Sequence, residues 1–454
     1  MEGSAVQIRH FSGKLITPGN PDYHEARSVW NGVIDRKPAA IARCHTPADV
    51  AVALRHARNQ GLKISVRGGG HNVAGTAVCD DGMVIDLSHL KAIDVDVREM
   101  TASAQPGVLW GELDEQTQQH GLATTGGVVS HTGIAGLTLG GGIGWLMRRY
   151  GLTVDNLLST EVVLADGEAV TASTGEHPEL FWALRGGGGR FGIVTRFNYR
   201  LHRVGPEVLA GPVLWPMEQA PQLLRHYRDW TDAAPPDVAT IVHLRKAPPL
   251  APVPTELHGR RVCIVAMLYT GPIRNGPDAL APLRNFGSPL VDLVAPRPYL
   301  KLQSMLDPTV PHGWHYYWKS AELDRLEDAS IDAIVEHAAT VSERSYAVMF
   351  HLGGAIQHTA EEATAYSHRD ARHNLNINGV WTADQNNADR EIAWTREFHA
   401  AVPPWESGVY TNFLDHDEGS DRLVQAFGHR ALERLAAVKR DYDPAGVFGQ
   451  LPPS

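Results

Sequence analysis

The sequence predicts an α+β fold in two domains, and three observations carry that reading. The chain has 454 residues, more than a single hydrophobic core commonly serves. Its glycines gather at 67–75, 121–144 and 186–192, all in the first half. From about residue 206 glycine thins, and longer helical stretches alternate with strand-like runs.

The elements follow in order. Residues 47–60 read as a helix begun by Thr46 or Pro47, with Val50, Ala51, Leu54 and Ala57 on one face. LKISVRG is a short strand running into the first glycine loop, and Gly82–Leu90 holds another strand. MTASAQPGVLWGELDEQTQQHGL begins as a strand, turns at Pro106–Gly107 and becomes a helix that stops at Gly121. A short helix is expected in GWLMRRYGL, and LLSTEVVLADGEAVTAS is a hairpin turning at Asp166–Gly167. PELFWALRGGGGRFGIVTRFNYR gives a helix, the third glycine loop and a strand. In the second half, helices are expected at 217–233 and 321–343, strands in RVCIVAMLYT, YAVMFHLGG and HNLNINGVW, and a last helix in ALERLAAVKRDYD. No internal repeat or low-complexity segment appears.

Composition excludes several classes of function. With 43% hydrophobic and 20% charged residues the chain reads as an ordinary soluble protein, and no apolar run is long enough to span a membrane. The net charge of −10 without a Lys/Arg stripe argues against nucleic acid as a partner. The start, MEGSAVQIRHFSGK, lacks the apolar core of a secretory signal, so a cytoplasmic protein is expected. Cys44, Cys79 and Cys263 are distant and odd in number; they suggest neither disulfides nor a metal site, but small buried residues.

The glycine loops are not a dinucleotide fingerprint of the strand–turn–helix kind. Gly187, Gly189 and Gly192 match GxGxxG, but here a helix precedes and a strand follows. Walker A, GxSxG and HExxH patterns are absent. What remains is a backbone-rich cradle. Gly68, Gly69 and Gly70 in SVRGGGHNVAG can approach a pyrophosphate because no Cβ intervenes, with Arg67 as added charge or as a solvated strand end.

Together, SVRGGGHNVAG, GGVVSHTGIAGLTLGGGIGWLMRRYGLTVDNL, PELFWALRGGGGRFGIVT and YTNFLD, in this order and spacing, resemble the berberine bridge enzyme-like FAD-linked oxidases. These include the hydroxynicotine oxidase type and belong to the vanillyl-alcohol oxidase superfamily. The likeness runs from about residue 35 to 448. It implies a two-part FAD-binding domain, residues 1–205 and 405–454. It also implies a substrate-binding domain at 206–404, whose antiparallel sheet, covered by helices, roofs the flavin.

The resemblance also assigns roles. His71 would be bonded to the flavin 8α-methyl, a task suited to a neutral imidazole. A second, cysteinyl link is not expected, because Val129 holds the cysteine position. Other FAD contacts would come from Arg67, Gly68, Gly69, Gly70 and Asn72 at the pyrophosphate. Gly133, Gly136, Gly140, Gly141 and Gly144 would serve the ribityl and phosphate groups, and Ile193 the flavin or adenine. Ile134 would help set oxygen access. Two departures stand out: Arg190 replaces the usual Asn of GGGGNFG, and FGQLPPS replaces an Asn-rich tail.

Alternation in RHNLNINGVW puts Asn374, Asn376 and Asn378 on one strand face, either a polar pocket roof or a solvated surface. By the family pattern Asn376 stands where relatives carry Glu or Gln; as an amide it binds or orients and cannot act as a base. Tyr410 and Asn412 match a family YxN pattern, which makes Tyr410 the first catalytic candidate. A phenol needs cationic help to act as a base at neutral pH; Lys319, His131 and His351 are candidates for that neighbour or simply structural. Tyr317 and Trp318 are pocket lining or core. The expected partners are a small-molecule substrate and O2, with no metal, in a monomer or homodimer. The implied function is oxidation of an alcohol, amine, sugar or phenolic natural product with hydrogen peroxide as by-product. A flavin dehydrogenase using another acceptor, and a non-catalytic flavin-binding protein, are the alternatives.

Overall fold

The computed structural model describes residues 8–403 and 408–451. The expected 404/405 boundary and the last three residues of the tail lie outside them. Among the described residues no helix is long and apolar enough to cross a membrane.

The first half builds two sheets around the glycine loops. Four strands lie in the order Lys14–Ile16, Ala40–Arg43, Met83–Asp86, Ile64–Arg67; the first pair is antiparallel and the others parallel. The parallel pairs are made possible by helix Pro47–Asn59, which returns the chain across Val50, Leu54 and Ala57. A capping box fixes its start. Thr46 accepts the Asp49 N–H, and the Asp49 carboxylate accepts the N–H of Thr46.

The second sheet is antiparallel, in the order Ile93–Asp96, Thr101–Ala104, Ile193–Arg200, Leu157–Val163, Ala169–Ser173. The third glycine loop lies between helix Pro178–Leu184 and strand Ile193–Arg200, the helix-then-strand order that set aside the dinucleotide fingerprint. The tail helix, Ser420–Tyr442, packs Leu432, Leu435 and Val438 against Phe181, Leu184 and Phe191.

The second half is dominated by an eight-stranded antiparallel sheet. Its main path runs Val291–Asp292, Glu207–Pro216, Arg261–Tyr269, Val238–Lys246, Tyr346–His351, His373–Trp381, His315–Leu323, and Ala295–Pro298 pairs beside Glu207–Pro216. Helices Ala220–Thr231, Gly276–Arg284, Asp328–Ala338 and Ala388–Ala401 carry residues of one core on one face, where Leu223, Leu280, Ile331 and Phe398 meet Val242, Val265, Met349 and Leu375. The opposite face presents Ile241, Tyr346, Val348, Phe350 and Trp318 to Trp30, Val73 and Ile143 of the first half.

The helix expected at 321–343 is shorter. Ala321–Leu323 end a strand paired with His373–Leu375, and the helix spans Asp328–Ala338. Strand pairing overrides the helical pattern there because Ala321 and Leu323 are buried in the sheet. All three cysteines are buried and free.

Candidate active site

Between the glycine loops and the helix-free face of the large sheet lies a cavity of about 600 Å³. Its floor is Gly68, Gly69 and Gly70 from the first loop, Gly133, Gly136 and Gly140 from the second, and Gly188, Gly189 and Gly192 from the third. Its roof is His243, Tyr346, Val348, Phe350, Asn376, Asn378 and Trp318.

The floor needs glycine for two distinct reasons. At Gly69 an added Cβ would lie 2.5 Å from Gly133 Cα, so these residues let two loops touch. At Gly136 an added Cβ would meet nothing within 4 Å. There the bare backbone faces open cavity, which is what a ligand approaching the chain requires. Gly141 and Gly144, expected at the cofactor, are not among the lining residues. Gly141 adopts φ +123° against Tyr366 and Tyr410, and an added Cβ on Gly144 would lie 1.6 Å from the Gly126 carbonyl oxygen. Both serve chain packing.

Arg67 is also corrected. Its guanidinium is buried and turned away from the cavity, binding Asp86 in a fork (Nε to Oδ1 3.1 Å, Nη2 to Oδ2 2.7 Å) and donating to the carbonyls of Ala26 and Ser28. Asp86, fully buried, also accepts from Arg43 at 3.0 Å, and Arg67 and Arg43 hold its carboxyl below the usual range. The cation that does line the cavity is Arg190, whose one hydrogen bond goes to the Gly187 carbonyl at 3.3 Å. Asn72 and Ile193 line the cavity as expected. Ile134 does not. Its side chain is fully buried in the core that contains Trp110 and Tyr199 and does not face the cavity.

His71 lies at the cavity wall with its ring stacked on Trp30, centroids 4.3 Å apart and planes 14° apart. Trp30 is itself stacked on Tyr316 at 3.9 Å and anchored by its Nε1 to the Val310 carbonyl. The His71 Nε2 is 3.2 Å from His131 Nδ1. Burial, reinforced by His131 and His312, holds the imidazole well below its usual pKa, so it is neutral and nucleophilic at pH 7. His131 thus belongs to His71, not to Tyr410.

The three asparagines share the sheet face that looks toward the cavity, and all are buried, so the solvated alternative is excluded. Asn376 and Asn378 line the cavity. Asn378 Nδ2 donates to Asn376 Oδ1 at 3.2 Å, which turns the Asn376 amide nitrogen free to donate elsewhere. Asn374 lies deeper, accepting from Ser320 Oγ at 3.4 Å.

Tyr410 and Asn412 meet as the YxN spacing suggested. The Tyr410 oxygen accepts from Gly142 N–H (2.9 Å), Ile143 N–H (3.4 Å) and Asn412 Nδ2 (2.8 Å). Burial nevertheless pushes the phenol up to about 12, and the nearby Glu322 carboxyl adds to the rise. None of the proposed cationic neighbours faces it. Lys319 is bound to Asp417 and Glu418, and His351 to Arg148. The three donors to Tyr410 favour the phenolate and oppose the effect of burial, so the oxygen can donate to a ligand in the cavity or take a proton from it. Alternation separates the aromatic pair: Trp318 lines the cavity, while the Tyr317 hydroxyl binds Asp417 on the other side.

Several lining groups were not singled out from sequence: Trp30, His243, Tyr346, Phe350 and Phe413. Strand alternation in VATIVHLRK and YAVMFH was the available signal, since His243, Tyr346 and Val348 fall on one face once the strands pair.

This donor set fits FAD. Bare backbone at Gly136 and Gly68–Gly70, with Arg190 beside the third loop, suits a pyrophosphate. The Trp318, Val129 and Phe413 walls suit a planar ring, and His71 is a neutral nucleophile at its edge. Comparison with known proteins agrees. The FAD binding domain model matches residues 38–173, and the berberine and berberine like model matches 409–450. An FAD-linked oxidoreductase of Dictyostelium discoideum is 30% identical over 443 residues, covering 96% of this chain and 93% of that one. The (R)-6-hydroxynicotine oxidase of Paenarthrobacter nicotinovorans is 30% identical over 96% of this chain and 95% of that one. The crystal structure of 6-hydroxy-D-nicotine oxidase from Arthrobacter nicotinovorans superposes with a TM-score of 0.87 at 27% identity, covering 96% of each chain. Similarity of this extent over both lengths, with the cavity's donor set, shows that the chain belongs to the berberine bridge enzyme-like family of FAD-dependent oxidoreductases.

Proposed function

We propose that the protein is an oxidase of a small alcohol, amine, sugar or phenolic substrate, with its FAD bonded through His71 alone. The observation that supports this most is the state of His71: neutral, at the cavity wall, backed by Trp30 and held at Nε2 by His131. Val129 lines the cavity where a second, cysteinyl bond would need sulfur. Bound FAD would supply the two-electron acceptor for a substrate C–H bond and pass the electrons to O2 as hydrogen peroxide.

The chain's own residues do the rest. Val348, Phe350, Phe413 and Trp318 exclude water from the roof. Asn376 presents its amide nitrogen to the substrate, fixed in that orientation by Asn378. Tyr410, its phenolate stabilised by the Gly142 and Ile143 N–H groups and by Asn412 Nδ2, takes the substrate's O–H or N–H proton as the C–H electron pair leaves. The test is anaerobic reduction by a substrate panel followed by mixing with air. Fast return of the oxidised spectrum with peroxide formation is expected. Slow reoxidation in air refutes the oxidase reading and leaves a dehydrogenase.

A further inference from the structure

The roof contains a corner that holds a buried cation without a counter-charge. Strand register sets it out. Arg245 pairs with Tyr346, Tyr346 with Asn378, and Asn378 with Trp318; in the next row His243 pairs with Val348, Val348 with Asn376, and Asn376 with Ser320. His243, Tyr346, Asn376 and Asn378 line the cavity, and Arg245 lies directly behind Tyr346, its Cζ 5.0 Å from the ring centroid.

Arg245 is the anomaly. Among the described residues four arginines are buried: Arg67, Arg148, Arg245 and Arg369. Arg67 is paired with Asp86 and Arg369 with Asp155. Arg148 is satisfied by the carbonyls of Val238, Ala234 and Leu352 and by His351. Arg245, only 7% exposed, makes one side-chain hydrogen bond, to the Lys246 carbonyl, and no carboxylate among the described residues pairs with it. Beside it, the Tyr346 hydroxyl makes no hydrogen bond among the described residues, and His243 Nε2 is buried without a partner. A buried charge without a counter-charge is costly, as is an unpaired buried donor. The Arg245 charge without a counter-charge, the unpartnered His243 nitrogen and the Tyr346 side chain lining the cavity beside them are explained together if the ligand brings the missing negative oxygen.

We propose that the substrate carries an anionic oxygen, carboxylate or phenolate, and binds with it in the His243–Tyr346–Asn378 corner. Tyr346 donates its O–H to that oxygen. Arg245 is a positioning residue that acts through Tyr346, its charge polarising the phenol and offsetting the ligand's charge. This rests on the cavity being the substrate site, and it narrows the substrate class toward aromatic acids and acidic phenols.

The test uses the flavin-loaded protein and two matched probe pairs: benzoate against benzamide, and ionised 4-cyanophenol against benzonitrile. Binding is read from perturbation of the flavin spectrum. In at least one pair the anion is expected to bind about tenfold or more tighter than its neutral partner, and which pair shows it separates carboxylate from phenolate. Arg245→Met should abolish that preference while leaving the neutral probe's affinity within about twofold; Arg245→Lys should retain part of it. Should the Met variant misfold, Tyr346→Phe decides, since it leaves the cation and must weaken only the anionic probe. Equal affinities in the unaltered protein, no binding by any probe, or a preference that survives these changes would overturn the proposal. Protein purified without flavin would instead contradict the FAD reading, so the two failures are distinguishable.

Discussion

The pairing of Arg67 with Asp86 separates a structural reading of the first glycine loop's approach from a ligand-binding one, and Asp86→Asn is the sharper perturbation. Asp86 is fully buried and holds two cations, Arg67 at 2.7 Å and Arg43 at 3.0 Å. With charge centres about 4 Å apart, one such contact is worth roughly 4 kcal/mol at an effective dielectric of 20, before desolvation. Removing the carboxylate strands the buried Arg67, so a loss of about 3–5 kcal/mol is expected. Arg67→Met leaves Asp86 its contact with Arg43 and with the Ser88 N–H, so roughly half that loss is expected. The double variant should lose less than the sum of the two. Urea unfolding followed by tryptophan fluorescence measures all three. The reasoning fails if Arg67→Met unfolds at the unaltered midpoint yet loses its flavin, because that would mean the guanidinium serves the pyrophosphate after all.

Other outcomes follow from the same structure. Gly136→Leu should fold with unchanged stability, since its Cβ meets nothing within 4 Å, but purify without flavin; Gly69→Ala, 2.5 Å from Gly133 Cα, should lower the unfolding midpoint whether or not flavin is present. Burial pushes the Glu322 carboxyl up to about 8. The native state therefore keeps a proton that the unfolded chain releases near the ordinary glutamate value, and stability should fall from there to about pH 8, at roughly 1.4 kcal/mol per pH unit at most. Glu322→Gln, which keeps an acceptor for the Tyr366 hydroxyl, should flatten that slope in chemical denaturation run across the range.

Much of this site was legible in the sequence, for a physical reason. Glycine clusters and a following histidine are local signals, and Gly68–Gly70, His71, Gly133, Gly136 and Gly140 all reach the cavity. So do Asn376 and Asn378, because strand alternation carries side-chain direction. What failed was pairing at a distance. Arg67 looked free until Asp86, nineteen positions on, proved to be its partner on the neighbouring parallel strand. The backbone donors at the Tyr410 oxygen were hidden because Gly142 lies in a loop 268 residues away. Ile134 sits among lining residues in sequence, yet the turn of helix Ile134–Leu139 points it into the core. The roof strand Val238–Lys246 was missed altogether, since a strand buried on both faces shows no clean apolar/polar alternation: Thr240, His243 and Arg245 interrupt its apolar run irregularly.

The central claim is that this chain holds its FAD through one bond, at His71. Peptide mapping of the denatured, protease-digested protein tests it most directly. The account predicts that the peptide spanning Ser65–Gly75 carries the flavin mass, fragments at His71, and is the one flavin-bearing peptide, and that His71→Ala releases all flavin on acid precipitation. Flavin recovered free from the unaltered protein, or attached to any other residue, would contradict it.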